Sequence, residues 1–419
     1  MKLKNIFTSV IAGAALIAFA GAASAATTYS TGTGTPVAPT GDLNVYGASA
    51  EFTFFKSEIP HYLTAAGCTL GGSASSSDGK HFIQQATCGS NTVNWRVSSK
   101  ASYDGPLAAD GNTTNPSRDT TCEVSNGANY RPMLDNPGST TLLTCQPVTI
   151  GASDVQVGDF VQKSSGLLLG PLGGVQTVRN FQTNPFVLTS NTTAYCRPLA
   201  VPFAFFANNT VKLADGTTTI SNISTAEARM IFQGVIQNWA DLQAVSMSSM
   251  PVNVCYRHAG SGTHATMDSF MRPSGMIQNA VTGGSGAHFY FNDGSSDLMR
   301  CVNGSGTWTG AGAIGYADAD QVLGTTFPNT VRLTLDGISP ITANVDDYSW
   351  PFTTIQNLYA NTTVSATPIM QDLCTYASQP STITSVNPNW SASCNMHRIK
   401  NSNFGGFVVN TKYHNANCN

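Results

Sequence analysis

Residues 254–272, VCYRHAGSGTHATMDSFMR, constrain the fold more than any other stretch of this chain. Residues 252–256 are a short apolar run of strand type, and residues 257–263 form a Gly/Ser turn. After the turn, Met267, Phe270 and Met271 recur at helical spacing. A strand passing through such a turn into a helix N-terminus is suited to holding an anion. The first helical N–H groups have no intrahelical acceptor, and the macrodipole concentrates positive charge there. Ser261 and Thr263 add hydroxyl donors, Gly262 lets an oxyanion approach the backbone, and Arg257 presents a planar, permanently charged fork. Taken alone, the pattern fits a capped helix with a salt-bridging arginine equally well.

The rest of the chain sets the context. Lys2 and Lys4 precede an apolar run over residues 11–20, and Ala23-Ser24-Ala25 is a small-x-small cleavage site. Residues 1–25 are therefore expected to be a secretory signal peptide, giving a periplasmic or extracellular protein. No cysteine follows the cleavage site to carry a lipid, and no later segment is apolar enough to span a bilayer. Ten cysteines suit an oxidising compartment, and none sits in a CxxC pair of the kind used by zinc, haem or thiol redox sites. Spacing suggests the bridges Cys68–Cys88, Cys122–Cys145 and Cys374–Cys394, leaving four cysteines unassigned. Only 10% of residues are charged and the formal net charge is −3, so there is no basic field for nucleic acid. Some 390 residues after the leader exceed one core and imply two lobes.

Read in order, residues 44–48 are a strand leading to an amphipathic helix that reaches about Leu63, and residues 67–92 are a stapled loop or hairpin. Residues 93–99 are a strand. Residues 104–146 are a polar insertion held by its disulfide rather than by a core. Residues 146–151 are a buried strand ending in a second helix N-terminus at GASD (residues 151–154). The continuous apolar run LAVPFAFF (residues 199–206) is an interior strand. A helix covers residues 225–232 with Trp239 as anchor, a helix capped by Asn292-Asp293 follows, and residues 312–322 are a strand and exit turn. Residues 330–346 are a hairpin, residues 369–376 a helix and residues 404–411 a late strand. Strands alternating with helices predict an α/β protein.

Eight stretches, in the same order, resemble the phosphate-binding periplasmic proteins of bacterial ABC uptake systems. They are YGASAEF (46–52), VNWRVSSKAS (93–102), IGASD (150–154), IFQGVIQNW (231–239), RHAGSGT (257–263), NDG (292–294), GAIGY (312–316) and WP (350–351). The resemblance implies a two-lobed Venus-flytrap of the type II periplasmic binding protein kind, with doubly wound lobes and two hinge crossings. Residues 26–200 with 349–419 would form one lobe and residues 201–348 the other, with the anion between them. It also implies that Arg257 clamps the ligand, that Ser261, Gly262 and Thr263 donate to it, and that Phe52 gives its backbone N–H. Asp154 would accept a proton from the ligand, favouring phosphate over fully ionised sulfate. A pocket serine is implied among Ser98, Ser99 and Ser102.

Two positions depart from the family pattern: Glu51 stands where a threonine is expected, and Ala259 where an aspartate is expected, with His258 beside it. A further carboxylate costs about 4 kcal/mol per pair of unit charges at 4 Å in a medium of effective dielectric near 20. Glu51 is thus expected either to point into the cleft and pair with Arg257, or to face solvent in the first helical turn, where the dipole favours an acid. The seven histidines form no metal pattern, and His258 reads as a neighbour of the clamp rather than a ligand. Asp318 and Asp320 read as a solvated exit loop. Ser261 lacks a nucleophile elbow and a His/Asp pair. The expectation is a binding protein without catalysis, metal or cofactor, passing phosphate or a similar oxyanion to an ABC transporter permease. The alternative is a surface or matrix interaction protein that keeps the flytrap fold with an altered pocket.

Overall fold

The computed structural model describes residues 36–115, 118–161, 163–164, 167–169, 175–177, 181–182, 187–242, 247–271, 288–346, 349–361, 368–377 and 391–392. The expected leader at residues 1–25, the late strand at 404–411, Cys394 and Cys418 lie outside these.

The chain is an α/β protein built on two seven-stranded sheets. The first sheet orders its strands Thr192–Cys196, Asn357–Asn361, Ile150–Ser153, Leu43–Gly47, Asn91–Ser99, His81–Cys88 and Thr69–Ser75. Leu43–Gly47 runs parallel to both neighbours, Asn91–Ser99 and Ile150–Ser153, and the other pairings are antiparallel. In the second sheet, Asn253–Arg257 is parallel to both His288–Asn292 and Ala313–Asp318. Leu199–Asn208 pairs antiparallel with Ala313–Asp318 and Thr330–Arg332 through its second half. Through its first half it pairs with Thr353–Ile355 and Ser391–Ala392. The chain passes from the first sheet to the second between Cys196 and Leu199, and returns between Ile355 and Asn357.

The central strands are covered on both faces, which is why they read as apolar runs rather than as alternating ones. All five residues of Asn253–Arg257 and all six of Ala313–Asp318 are buried. Helix Ser49–Ala65 lies on the first sheet, burying Phe54, Phe55, Ile59, Tyr62 and Leu63, each worth roughly 1.5–3 kcal/mol on transfer from water. Trp239 anchors its turn as expected, its indole N–H donating to the Gly312 carbonyl at 2.9 Å.

Several sequence expectations are corrected. The insertion after Asp104 is not held by Cys122–Cys145 alone: Leu107, Ala108, Ala109, Met133 and Leu134 are all buried, and Arg131, 0% exposed, pairs with Asp104 at 3.2 Å. Its polar composition hid an internal ion pair, which counts as surface only when the partner is unknown. GASD opens no helix, for Ile150–Ser153 is a strand followed only by the single turn Val157–Asp159. The helix after Asn292 is capped by Gly294, whose N–H donates to Asp297 at 3.1 Å. Residues 330–346 are not one hairpin: Thr330–Arg332 joins the second sheet, Thr334–Leu335 pairs with Asn222–Ile223, and Thr342–Asp346 is helical. Cys68–Cys88 and Cys122–Cys145 are bridged as expected, but Cys374 bonds Cys196 rather than Cys394, and Cys255 bonds Cys301. The proximity of Cys374 to Cys196, 178 residues earlier, follows from helix Pro368–Ala377 packing by strand Thr192–Cys196, which no local spacing reveals.

Glu58 gives a stability test. It is 0% exposed inside helix Ser49–Ala65, neither carboxylate oxygen has a hydrogen-bond partner, and burial pushes its pKa up to about 8. A raised carboxyl stabilises the fold fully below its unfolded value near 4.5, and that contribution is lost as pH rises through about 8. Glu58→Gln should therefore stabilise the protein at pH 7 by a few kcal/mol at most, the ionisation cost removed being on the order of 3 kcal/mol. Thermal melts from pH 5 to 8 check this: the native midpoint should fall with pH, and that of the variant should fall much less.

Candidate functional site

Ligands in open α/β sheets gather at the carboxyl ends of parallel strands, and here both sheets aim those ends at one place. In the first sheet Gly47, Ser99 and Ala152 lie in register. The chain then delivers Glu51, Ser102 and Asp154 from the segments that follow. In the second sheet Arg257 pairs with Asn292, and Ser295 and Asp318 come from the strand ends beside it. Gly47 permits the first turn: at φ +142°, a Cβ there would lie 2.1 Å from the Ala152 carbonyl oxygen.

Contacts across the two halves are close. Tyr103 N–H donates to the Gly260 carbonyl at 3.1 Å, and Ala259 N–H donates to Ser164 Oγ at 2.9 Å. Tyr103, Leu107, Val155 and Phe160 form an apolar cluster with Ala259 and Ala265. Gly262 is the tightest point, since a Cβ there would meet Ser102 Oγ at 2.5 Å and Asp154 Cβ at 2.6 Å. Only glycine lets the helix Gly262–Met271 begin against Asp154.

Arg257 is 2% exposed. Its Nη1 donates to Ser295 Oγ at 2.7 Å and its Nη2 to the Asp293 carbonyl at 3.0 Å, while Nε is buried with no hydrogen-bond partner. Asp154 Oδ2 accepts from Ser102 at 2.9 Å and Oδ1 is buried without a partner. Burial raises the Asp154 pKa to about 6, against the opposing effects of the Ser102 hydrogen bond and the Arg257 charge. Ser102 is thus the serine that reaches the Asp154 carboxylate; Ser98 bonds His81 at 2.9 Å, and Ser99 lines the cleft mouth.

Glu51 follows neither expected course. It does not pair with Arg257 and does not face solvent: it is 0% exposed, with both carboxyl oxygens lacking a hydrogen-bond partner. Burial first, and the Asp154 charge second, push its pKa well up. The Ser153 backbone N–H opposes them, although it does not reach hydrogen-bond geometry. Asp318 is likewise not in a solvated loop. It is 6% exposed, Oδ1 has no partner, and its pKa is raised to about 7 by burial, Asp320 and Asp154, against Arg257 and Ser295. Sequence reasoning missed Ser295 and Asp318 as members of this cluster; the alternation of GAIGYAD carried no sign that the strand end would be covered.

The remaining predicted residues are placed as follows. Phe52 lies beside the cleft, but its N–H donates to the Ala48 carbonyl at 3.1 Å, along its own helix. Ser261 caps the next helix, its Oγ accepting from His264 N–H at 3.4 Å. Thr263 is buried in that helix's first turn. His258 Nδ1 accepts from Gly260 N–H at 3.0 Å, leaving Nε2 3.8 Å from Asp293. His264 bonds the Tyr316 hydroxyl at 2.8 Å, and burial with the nearby charges of His258 and Arg257 lowers its pKa to about 3. No group of three or more His, Cys, Asp or Glu among the described residues is arranged to hold a metal.

Outside the buried cluster the cleft opens into a chamber of about 560 Å³ that touches both halves. Its floor includes Ser295 and Asp318, so it is continuous with the Arg257 cluster.

No family model matches the sequence. No curated protein matches it either. Among solved structures, the chain is similar to a Clostridium perfringens substrate-binding protein of the phosphate ABC transporter type with bound phosphate, at 11% identity and TM-score 0.48, over 84% of this chain and 99% of that one. It is also similar to an ABC-type phosphate transport receptor from Vibrio cholerae, at 9% identity and TM-score 0.43, over 82% and 98%. A third is a phosphate-binding protein from Stenotrophomonas maltophilia, at 13% identity and TM-score 0.39, over 83% and 86%. At such identities side-chain roles do not transfer, and the chemistry of this cleft is taken from its own residues.

Proposed function

We propose that this is an exported solute-binding protein that captures phosphate or a related oxyanion between two lobes, residues 26–200 with 349–419 and residues 201–348, and passes it unaltered to a membrane transporter. One observation carries the reading: a buried arginine keeps an Nε–H without a hydrogen-bond partner, and its charge acts on an equally buried, half-satisfied Asp154. Buried donors and acceptors are rarely left unmade, at a cost of roughly 1–3 kcal/mol each. A protonated oxyanion satisfies both kinds at once, its bare oxygens accepting from Arg257 and its hydroxyl donating to Asp154. A fully ionised sulfate has no proton for Asp154. No helix among the described residues is long and apolar enough to cross a membrane.

The excess of acid supports a second reading. Glu51 adds a buried carboxyl beside Asp154 and Asp318 adds another near Arg257, and an interaction protein that has abandoned its pocket has no need to relieve them. Calorimetric titration with phosphate, arsenate and sulfate separates the two. Binding of phosphate and arsenate with sulfate at least a hundredfold weaker is the expected result. Silence with all three would support the interaction protein.

A further inference from the structure

The chamber in front of Arg257 is too large for the anion alone. Its volume of about 560 Å³ lies within the roughly 300–1,000 Å³ typical of sites for whole organic ligands, whereas one water occupies about 30 Å³ of liquid. It is walled from both halves. The turn carrying Asp78 and Lys80 and the start of helix Ser49–Ala65 form one side; His258, Asp293 and the first turns of helix Ser295–Asn303 form the other. Polar side chains dominate the lining, with Phe52 and Ala101 the only apolar ones, although aliphatic stems contribute much of its surface.

The charges alternate in sign and several are already engaged. Lys100 lies 3.7 Å from Asp119, and Arg300 lies 3.5 Å from Asp297, whose other oxygen caps Gly294. The burial of Asp293 favours its neutral form, but the charges of His258, Lys100 and Arg257 outweigh that and hold its pKa below the ordinary carboxylate range. The lining carries five acids (Asp78, Asp104, Asp293, Asp297, Asp318) against three cations (Lys80, Lys100, Arg300), so it offers donors and acceptors in every direction and no surplus of positive charge. That suits a neutral body rich in hydroxyl groups and suits neither a second phosphate nor an alkyl chain.

Taking the oxyanion reading as its foundation, we propose that the natural ligand is a phosphate monoester of a polyhydroxylated alcohol, such as a sugar phosphate. Its phosphoryl head meets Arg257 and its body fills the chamber. The ester oxygen is the one phosphoryl oxygen that needs no hydrogen-bond donor, so it is the one to point outward past Ser295 toward the chamber. Lys80 and Arg300 then contact the hydroxylated body and not the head.

Calorimetry with inorganic phosphate, a hexose monophosphate and hexyl phosphate tests this, on the native protein and on a Lys80→Ala/Arg300→Ala double variant. The hexose monophosphate should bind at least tenfold tighter than inorganic phosphate. The double variant should lose that advantage while keeping its affinity for inorganic phosphate. Inorganic phosphate binding as tightly as the hexose ester would overturn the ester assignment and leave the oxyanion reading standing. Hexyl phosphate matching the hexose ester would overturn the polar body. If none of the three binds, the oxyanion reading fails and the ester assignment falls with it.

Discussion

Arg257→Gln should weaken phosphate binding at least a hundredfold. Two hydrogen bonds to a charged group contribute roughly 1.5–3 kcal/mol each, and 1.4 kcal/mol is about a factor of ten. The loss has a second source. Arg257 favours the ionised forms of both Asp154 and Asp318, keeping their pKa values lower than burial alone would. Without it, those carboxyls become neutral at higher pH or repel an incoming anion if ionised. Arg257→Lys keeps the charge but loses the planar fork that reaches Ser295, the Asp293 carbonyl and the free Nε position together. Its affinity should fall between those of the native and Gln proteins. Calorimetry measures both, and an Arg257→Gln protein that is folded by circular dichroism yet binds phosphate normally would remove Arg257 from the site.

Affinity should also fall steeply with rising pH. The folded pKa values of Asp154 and Asp318, about 6 and about 7, are raised above the ordinary aspartate value of 3.8. Both groups are neutral well below pH 6, and the ionised pair at pH 8 faces the ligand with like charge. Each proton that must be taken up on binding changes affinity about tenfold per pH unit above the group's pKa, so about two decades from Asp154 and about one from Asp318, roughly a thousandfold loss in all, are expected between pH 5.5 and 8. The same sign governs the empty protein: stability from these two carboxyls is present below about pH 4 and lost as pH rises through 6 and 7. Burial first, and the Asp154 charge second, push the Glu51 carboxyl well up and so favour its neutral form. Glu51→Gln should accordingly leave phosphate affinity at pH 7 within about tenfold, or 1.4 kcal/mol, of native. Binding measured by thermal shift over this pH range checks all three statements, and a flat profile would show that the acids do not face the ligand.

The strands and helices around the site were legible because they are local. Apolar runs such as residues 252–256 and 199–206, and the turn chemistry of residues 257–263, specify their own backbone. Arg257, Asp154, Ser261, Gly262 and Thr263 stood out through the motifs RHAGSGT and IGASD, and all five are buried. What escaped was set by contacts between distant segments. Ser98, Ser99 and Ser102 differ little in sequence, and the choice falls on Ser102 because the chain bends after the edge of the parallel ladder, bringing its hydroxyl 2.9 Å from Asp154. Asp318 looked solvated because nothing near it in sequence marks it as buried; the groups around it, Ser295, Arg257 and Asp154, come from distant segments. Glu51 sits where an exposed acid would favour the helix dipole, yet it is 0% exposed beside Asp154, from a strand end about 100 residues later. The Cys196–Cys374 bridge depends on a packing between segments 178 residues apart.

The most direct test of the account is to locate a bound oxyanion. Crystals of the native protein grown with arsenate at pH 6, measured at the arsenic absorption edge, should show one strong anomalous peak in the cleft, within hydrogen-bonding reach of Arg257 Nε and Asp154 Oδ1. A peak elsewhere on the molecule, or an empty cleft beside Arg257 at saturating arsenate, would contradict it.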